Sequence, residues 1–437
     1  MMGSLLRTLL ALPIVLALSS VAGAQPAFEP ERCQQAHNEP LPQLEARRDA
    51  LERALAGQQP SAPSKKEQRQ LRDKQEQLLQ VLFQIDCAKS APESVPAARV
   101  QRRAREFARK PAALEVTTYY ATNRKASGSP GPNMYGTGID PALQYGRAVV
   151  SIPPGHTPGN LELPTLWKLE READPNKHFV LKTVQPLNAD AARKEIADKL
   201  QSTAAPALLL FVHGYNTSFE DAALRTAQLA HDLAFPGLAL FYSWPSAARA
   251  LAYWQDEETA QLSEAVFERL LADLSRLPVP DIYIVAHSMG NRIVAGALRT
   301  RVEKKEPTAH IRGLLLAAPD INAELFRTTI APQLAALEGT QTTIYAASSD
   351  LALRASKIVH GFKRVGETEG GVFVYPGFDT IDASKAANAI RAFGHSYLMD
   401  SAPVLEDIKT IVQQKLAAKQ RGLSEMGTSP NFYWQLP

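Results

Sequence analysis

The stretch Asp281–Thr300, DIYIVAHSMGNRIVAGALRT, decides how the rest of the chain is read. An apolar run, IYIVA, is followed by His287 and Ser288, and a helical pattern begins two residues later. Small residues, Ala286 and Gly290, stand two places either side of the serine. A sharp strand–turn–helix junction needs them, because strand and helix backbones pass close on both sides of the central residue. Ala286 carries one methyl more than the glycine usual there. A hydroxyl at such a junction reads as a helix N-cap, a packing choice or a nucleophile. As a bare pattern A-x-S-x-G is weak, but between a strand and a helix it points to a nucleophile elbow.

Outward from this turn, short apolar strands alternate with helices. Upstream, ALLLFVHGYN (207–216) reads as a buried strand, EDAALRTAQLAHDL (220–233) as a helix, GLALFYSWP (237–245) as a strand and 255–275 as a helix. Downstream, IRGLLLAAPD (311–320), TTIYAASSD (342–350) and GVFVYP (371–376) read as strands, with helices over 321–337 and 402–417. That alternation predicts an α/β fold, a mostly parallel sheet with helices on both faces. Ahead of it, LEVTTYYATNRK, YGRAVVSIPPGH and FVLKTVQPL read as three more strands, polar enough for antiparallel edge positions. The domain is bounded at 113–425, and the tail 426–437 reads as extended or loosely ordered chain.

A serine hydroxyl is a weak nucleophile until a base takes its proton. In a doubly wound hydrolase the partners follow in the chain order serine, acid, histidine. Downstream of Ser288 the histidines are His310, His360 and His395. His395, in AFGHSYLMD, sits in a Gly-containing loop after the last strand and before the last helix, where a base would hang over the elbow. His310 precedes a strand and falls at the wrong end of the sheet, and His360 reads as the end of a short helix. The acid should follow a strand. Asp350 ends TTIYAASSD and Asp320 ends IRGLLLAAPD, and position favours Asp350. Asp379 and Asp382 read as turn or cap residues.

His213-Gly214-Tyr215-Asn216 directly follows the first parallel strand, where an oxyanion-binding N–H is expected. The backbone N–H groups of Tyr215 and Met289 are the candidate donors, and His213 reads as a structural ring beneath the loop. Tyr215, Trp244 and Tyr253 are candidate walls of a fairly open substrate pocket, although such aromatics serve equally as core.

The ends of the chain carry other signals. Residues 1–24 hold one arginine, Arg7, an apolar run from Leu9 to Leu18, and Ala22-Gly23-Ala24. This reads as a secretory leader with a small-residue cleavage site, too short to span a bilayer core of about 30 Å, and predicts export to the periplasm or the medium. Residues 25–88 read as a helical hairpin with arms 31–57 and 64–88, and 89–112 as a basic linker. Cys33 and Cys87, the two cysteines of the chain, fall at the open end of the hairpin, and in an oxidising compartment they are expected to form a disulfide.

The chain has 437 residues, 45% of them hydrophobic, and a formal net charge of +3, a near balance that gives no nucleic-acid footprint. Neither a metal-ligand cluster nor a phosphate loop is evident, so no metal or other cofactor is expected. No segment is long and apolar enough for a transmembrane anchor. Oligomeric state is not legible.

Taken together, FVHGYNTSFEDA, FYSWPS, YIVAHSMGNR, AAPDI, YAASSD and FGHSY resemble the α/β-hydrolase superfamily. More narrowly they resemble a bacterial family of unknown function described as esterase- or lipase-like, over roughly residues 114–415 and including YYATNR, YGRAVVSIPPGH and GNLELP. The resemblance implies an eight-stranded sheet and a triad of Ser288, Asp350 and His395. The expected activity is hydrolysis of a small or lipid-like carboxylic ester through an acyl-enzyme. Thioester or amide hydrolysis by the same triad, or a non-catalytic envelope binding protein on this fold, are the alternatives.

Overall fold

The computed structural model describes residues 40–56, 112–164, 172–249, 252–308, 310–348, 362–389, 397–428 and 431–436, with residues 70, 71, 73–75, 77, 78, 80, 81, 84 and 85 of the second helical stretch. The strand Ala207–Val212 (β4) shows how the fold is built. All six of its residues are buried. Leu208, Leu210 and Val212 join one apolar cluster, while Ala207, Leu209 and Phe211 join another. Strand side chains alternate between faces, so a strand apolar throughout must be covered on both. Asp281–His287 (β6) divides the same way, with Ile282, Ile284 and Ala286 on the first face and Tyr283 and Val285 on the second.

The cover comes from helices. Ala189–Gln201 (α2), Tyr253–Leu274 (α4) and Gly290–Glu303 (α5) pack on the first face. Phe219–Asp232 (α3) and Ala402–Lys409 (α6) pack on the second. α3 starts at a capping box, in which Ser218 Oγ accepts from the Asp221 N–H and the Asp221 carboxylate accepts from the Ser218 N–H.

Around β4 and β6 stand Leu114–Ala126 (β1), Tyr135–Ile152 (β2), Val180–Leu187 (β3), Leu238–Ser243 (β5), Ile311–Ala317 (β7), Gln341–Ala346 (β8), Phe378–Asp382 (β9), Ser424–Thr428 (β10) and Asn431–Gln435 (β11). The sheet order is β10-β11-β9-β8-β7-β6-β4-β5-β1-β2-β3, eleven strands in all. Strands β4 to β9 run parallel to their neighbours, β1 is parallel to β5, and β1-β2-β3 is an antiparallel meander at one edge.

Three expectations are corrected: the strand at 371–376, the turn role of Asp379 and the loose tail. The segment 371–376 is not a strand. Left-handed Gly371 and Gly377 (φ 85°) turn the chain at both ends of it, and Phe373 instead packs edge-on against Phe326. The ninth strand starts at Phe378, so Asp379 is a strand residue paired with Arg421 and not a turn residue, whereas Asp382 ends the strand and caps Ser384. The tail is not loose either. It folds into the β10–β11 hairpin, and β11 pairs in parallel with β9, extending the sheet beyond the eight strands the resemblance implies.

Leu41–Ala56 (α1) is the first arm of the expected hairpin. Leu44, near its start, shares a small apolar cluster with Val81 and Ile85, late in the second arm, as antiparallel arms require. Cys33, Cys87, the leader and all but the last residue of the linker lie outside the described residues. Among the described residues no helix is long and apolar enough to cross a membrane.

Candidate active site

Ser288 has φ +51°, in the left-handed region, which costs a non-glycine residue about 1–2 kcal/mol. Hydrogen bonds hold it there. Its N–H donates to the Ala317 carbonyl at the end of β7 (2.9 Å). Its own carbonyl accepts from the Asn291 N–H (3.1 Å), the Asn291 side-chain amide (2.9 Å) and the Asp320 N–H (3.3 Å). A Cβ on Gly290 would lie 2.4 Å from the His213 carbonyl oxygen and 2.8 Å from that of Val212, backbone that cannot yield. The small residue after the serine is therefore a steric necessity. Met289 heads α5, where first-turn N–H groups have no acceptor within the helix.

The loop after β4 passes directly over the serine. A Cβ on Gly214 would come within 2.9 Å of both Ser288 Cβ and His287 Nδ1. Behind the loop lies Arg124, from β1, only 1% exposed. Its guanidinium donates to the carbonyls of Thr217 (2.7 Å), Ser246 (3.1 Å) and Gly136 (3.2 Å) and to Ser243 Oγ (2.8 Å). Asp256, from α4 and fully buried, accepts from the N–H groups of Asn216 (3.0 Å) and Ala247 (2.6 Å) and from Ser246 Oγ (2.6 Å). Burial pulls Arg124 down to about 10, opposed by Asp256. Burial likewise raises Asp256, opposed by its three hydrogen bonds and by Arg124.

His213 is structural, as its position suggests. Its Nδ1–H donates to the Gly214 carbonyl (2.7 Å), its ring stacks on Trp244, and burial, then Arg124, hold its pKa well below the usual histidine range.

Two proposed pocket walls are corrected. Trp244 is fully buried and donates its indole N–H to the His213 carbonyl (2.8 Å), so it props the loop from beneath. Tyr253 is 3% exposed, and its hydroxyl donates to Asp320 Oδ2 (2.5 Å). Tyr215 is half-buried, edge-on to Tyr253.

Asp320 is engaged through both oxygens. Oδ1 faces Arg364 (3.3 Å), and Oδ2 faces Arg292 (3.3 Å) as well as Tyr253. Asp320 itself is 2% exposed. His310 lies before β7, at the end of the sheet away from Ser288, and its carbonyl accepts from the Ile282 N–H. Asp350, His360 and His395 lie outside the described residues.

The sequence reading missed Arg124, Asp256 and Asn291 as residues that shape the site. Arg124 stands in the quoted YYATNR, but nothing local to β1 reveals that its partners lie 93 and 122 residues away.

Several solved structures are similar at a low level. An esterase from Pyrobaculum calidifontis matches at 11% identity over 85% of this chain and 98% of its own, with a TM-score of 0.27. Phospholipase PlaB from Legionella pneumophila matches at 12% identity over 53% and 68%, TM-score 0.26. An alpha/beta hydrolase enzyme from the metagenome of Lake Arreo, Spain, matches at 9% identity over 77% and 87%, TM-score 0.25. Scores of this size carry no inference about activity. A comparison with curated protein sequences finds no match. The family described as "Alpha/beta hydrolase of unknown function (DUF900)" matches residues 188–415, just over half of the chain, from α2 past β9, and this protein belongs to it.

Proposed function

We propose that this α/β hydrolase is a serine esterase acting through an acyl-enzyme. The observation that carries the reading is Ser288 itself, in left-handed backbone at the β6–α5 junction with the Gly214 loop in contact above it. Strain of this kind persists only where surrounding structure enforces it, and here three donors on one carbonyl do so. In the proposed reaction Ser288 Oγ attacks the ester carbonyl carbon while His395 takes the hydroxyl proton. The Tyr215 and Met289 N–H groups receive the oxyanion, and Asp350 orients the imidazolium. Collapse expels the alcohol, which takes the proton from His395, and water then releases the acid by the same steps in reverse order. Asp350 follows the end of β8 by four residues and His395 lies beyond β9, the chain order this mechanism needs. We propose further that the enzyme acts outside the cytoplasm, on the strength of the leader-like residues 1–24.

A fluorophosphonate probe tests the nucleophile. Covalent labelling of the wild-type protein that disappears in Ser288→Ala supports the reading, and failure to label wild type, or equal labelling of both, overturns it. A panel of p-nitrophenyl esters, acyl thioesters and anilides then ranks the acyl substrates, with esters expected to be cleaved fastest.

A further inference from the structure

A second cluster of chemistry lies at the opposite end of α3 from Ser288, about 20 Å along a helix of fourteen residues. His231 and Asp232 close the last turn of α3, and His156 reaches them from the loop that follows β2. One donor atom from each of the three lies within 4.8 Å of the others. We propose that His156, His231 and Asp232 bind a divalent transition-metal ion of the zinc type, a structural site independent of the esterase reading.

The support lies in what surrounds the three donors. His156 Nδ1 is 2.7 Å from Glu162 Oε2, so a carboxylate fixes the ring and directs Nε2 towards Asp232 Oδ1, also 2.7 Å away. A carboxylate on the far nitrogen of a histidine is the usual outer support of a metal-bound imidazole. Asp232 is held in the same manner. Its Oδ2 accepts from the Gly159 N–H (2.8 Å) and from the Gln228 amide (3.1 Å), which leaves Oδ1 facing the His156 imidazole. The side chains of His156 and Asp232 are 4% and 0% exposed, whereas His231 is exposed and gives the ion an access path.

Two imidazole nitrogens with one carboxylate oxygen suit zinc, whereas calcium and magnesium favour sets made of oxygen alone. A water would complete four-coordination. Donors about 2.0–2.2 Å from a tetrahedral ion stand roughly 3.3 Å apart, so Nε2 and Oδ1 need to open by only about half an ångström. The ion would strap the 153–162 loop to α3. Gly159, in that loop, lies against the Asp400 carbonyl, and Asp400 pairs with Arg225 of α3 (2.7 Å), so the strap also supports the short helix Tyr397–Asp400.

The test uses the full chain, stripped with a chelator and titrated with Zn²⁺ alone by calorimetry and by thermal melting. One zinc per chain and a raised Tm are expected, with no response to Ca²⁺ or Mg²⁺ at the same concentration. His231→Ala removes an exposed ligand, leaves the fold intact and should weaken binding at least tenfold. Glu162→Gln, which keeps the shape of the support, should weaken it about 10- to 100-fold. Absence of zinc binding, unchanged affinity in His231→Ala, or an equal response to Ca²⁺ would each overturn the site.

Discussion

Arg124 with Asp256 and Arg292 with Asp320 and Arg364 are both buried ionic clusters beside Ser288, and they spend their hydrogen bonds differently. The Arg124 cluster spends them on backbone. Its guanidinium and the Asp256 carboxylate between them bond to Asn216, Thr217, Ser246 and Ala247, the two loops that support the turn over Ser288. The Asp320 cluster spends its charge mainly on side chains, Asp320 facing Arg292, Arg364 and the Tyr253 hydroxyl and Arg292 pairing also with Glu257, with one backbone bond, from Arg292 to the Asp320 carbonyl. A charge that fixes backbone sets the direction of N–H groups, whereas a charge that pairs with other charges mainly fixes packing. A carboxylate at the carboxyl end of a parallel strand is therefore not identified as catalytic by position. Its partners identify it.

The loops held by Arg124 and Asp256 bear on catalysis only if Ser288 is the reacting group. Ser288→Ala is expected to lower kcat by up to about 10⁶-fold with an unchanged circular-dichroism spectrum, and a variant keeping most of its activity would remove the nucleophile. The sharper contrast is between carboxylates. Asp350→Asn should cost about 10⁴-fold in kcat, because the histidine loses the partner that fixes its tautomer. Asp320→Asn should instead lower stability, since breaking a buried ion pair typically costs about 3–5 kcal/mol, while the folded enzyme stays within about tenfold of wild type. If folded Asp320→Asn is the inactive variant, the acid follows β7 and the structural reading of Asp320 fails.

Asp256→Asn probes the other cluster. Misdirecting one oxyanion donor costs about 10²–10³-fold in kcat, so kcat should fall by that order with KM nearly unchanged. A drop in Tm alone, with kcat intact, would make the two clusters equivalent and erase the distinction.

The pH profile separates the two histidines named in the site. A base must be neutral to accept a proton, so kcat/KM should rise with pH through the ordinary histidine range near ~6.5. His213, held neutral far below that range by burial and by Arg124, should contribute no limb. His213→Gln should leave the midpoint where it is, and a shifted midpoint would return His213 to the list of bases. The smallest kinetic effect is expected for Trp244→Phe, which removes the indole N–H bond to the His213 carbonyl and trims the ring that stacks on His213. A loss of about 2–4 kcal/mol in denaturant unfolding should accompany nearly normal kinetics. A large change in KM would make Trp244 a substrate contact after all.

Much of this was legible in the chain. The elbow is a local steric problem, in which two backbones pass close to one residue, and Ala286, Ser288 and Gly290 state its solution within five positions. Strands covered on both faces announce themselves as unbroken apolar runs, so β4, β6 and β7 could be read without knowing their neighbours. The segment 371–376 misled for the same reason, because its apolar residues suit a strand while left-handed Gly371 and Gly377 turn the chain at both ends of it.

The sequence by itself determined the alternation of strands and helices from β4 to β8, the turn that strains Ser288, and the loop that follows β4. The tertiary structure decided what the buried polar groups do. Trp244 and Tyr253 looked like pocket walls until their polar atoms found His213 and Asp320, 31 and 67 residues away. The tail looked loose until β9 offered it an unpaired edge. Periodicity and steric need act over a few residues and are written locally. The partner of a buried charge or an open strand edge is supplied by chain that is distant in sequence, and becomes definite only when the sheet closes around it.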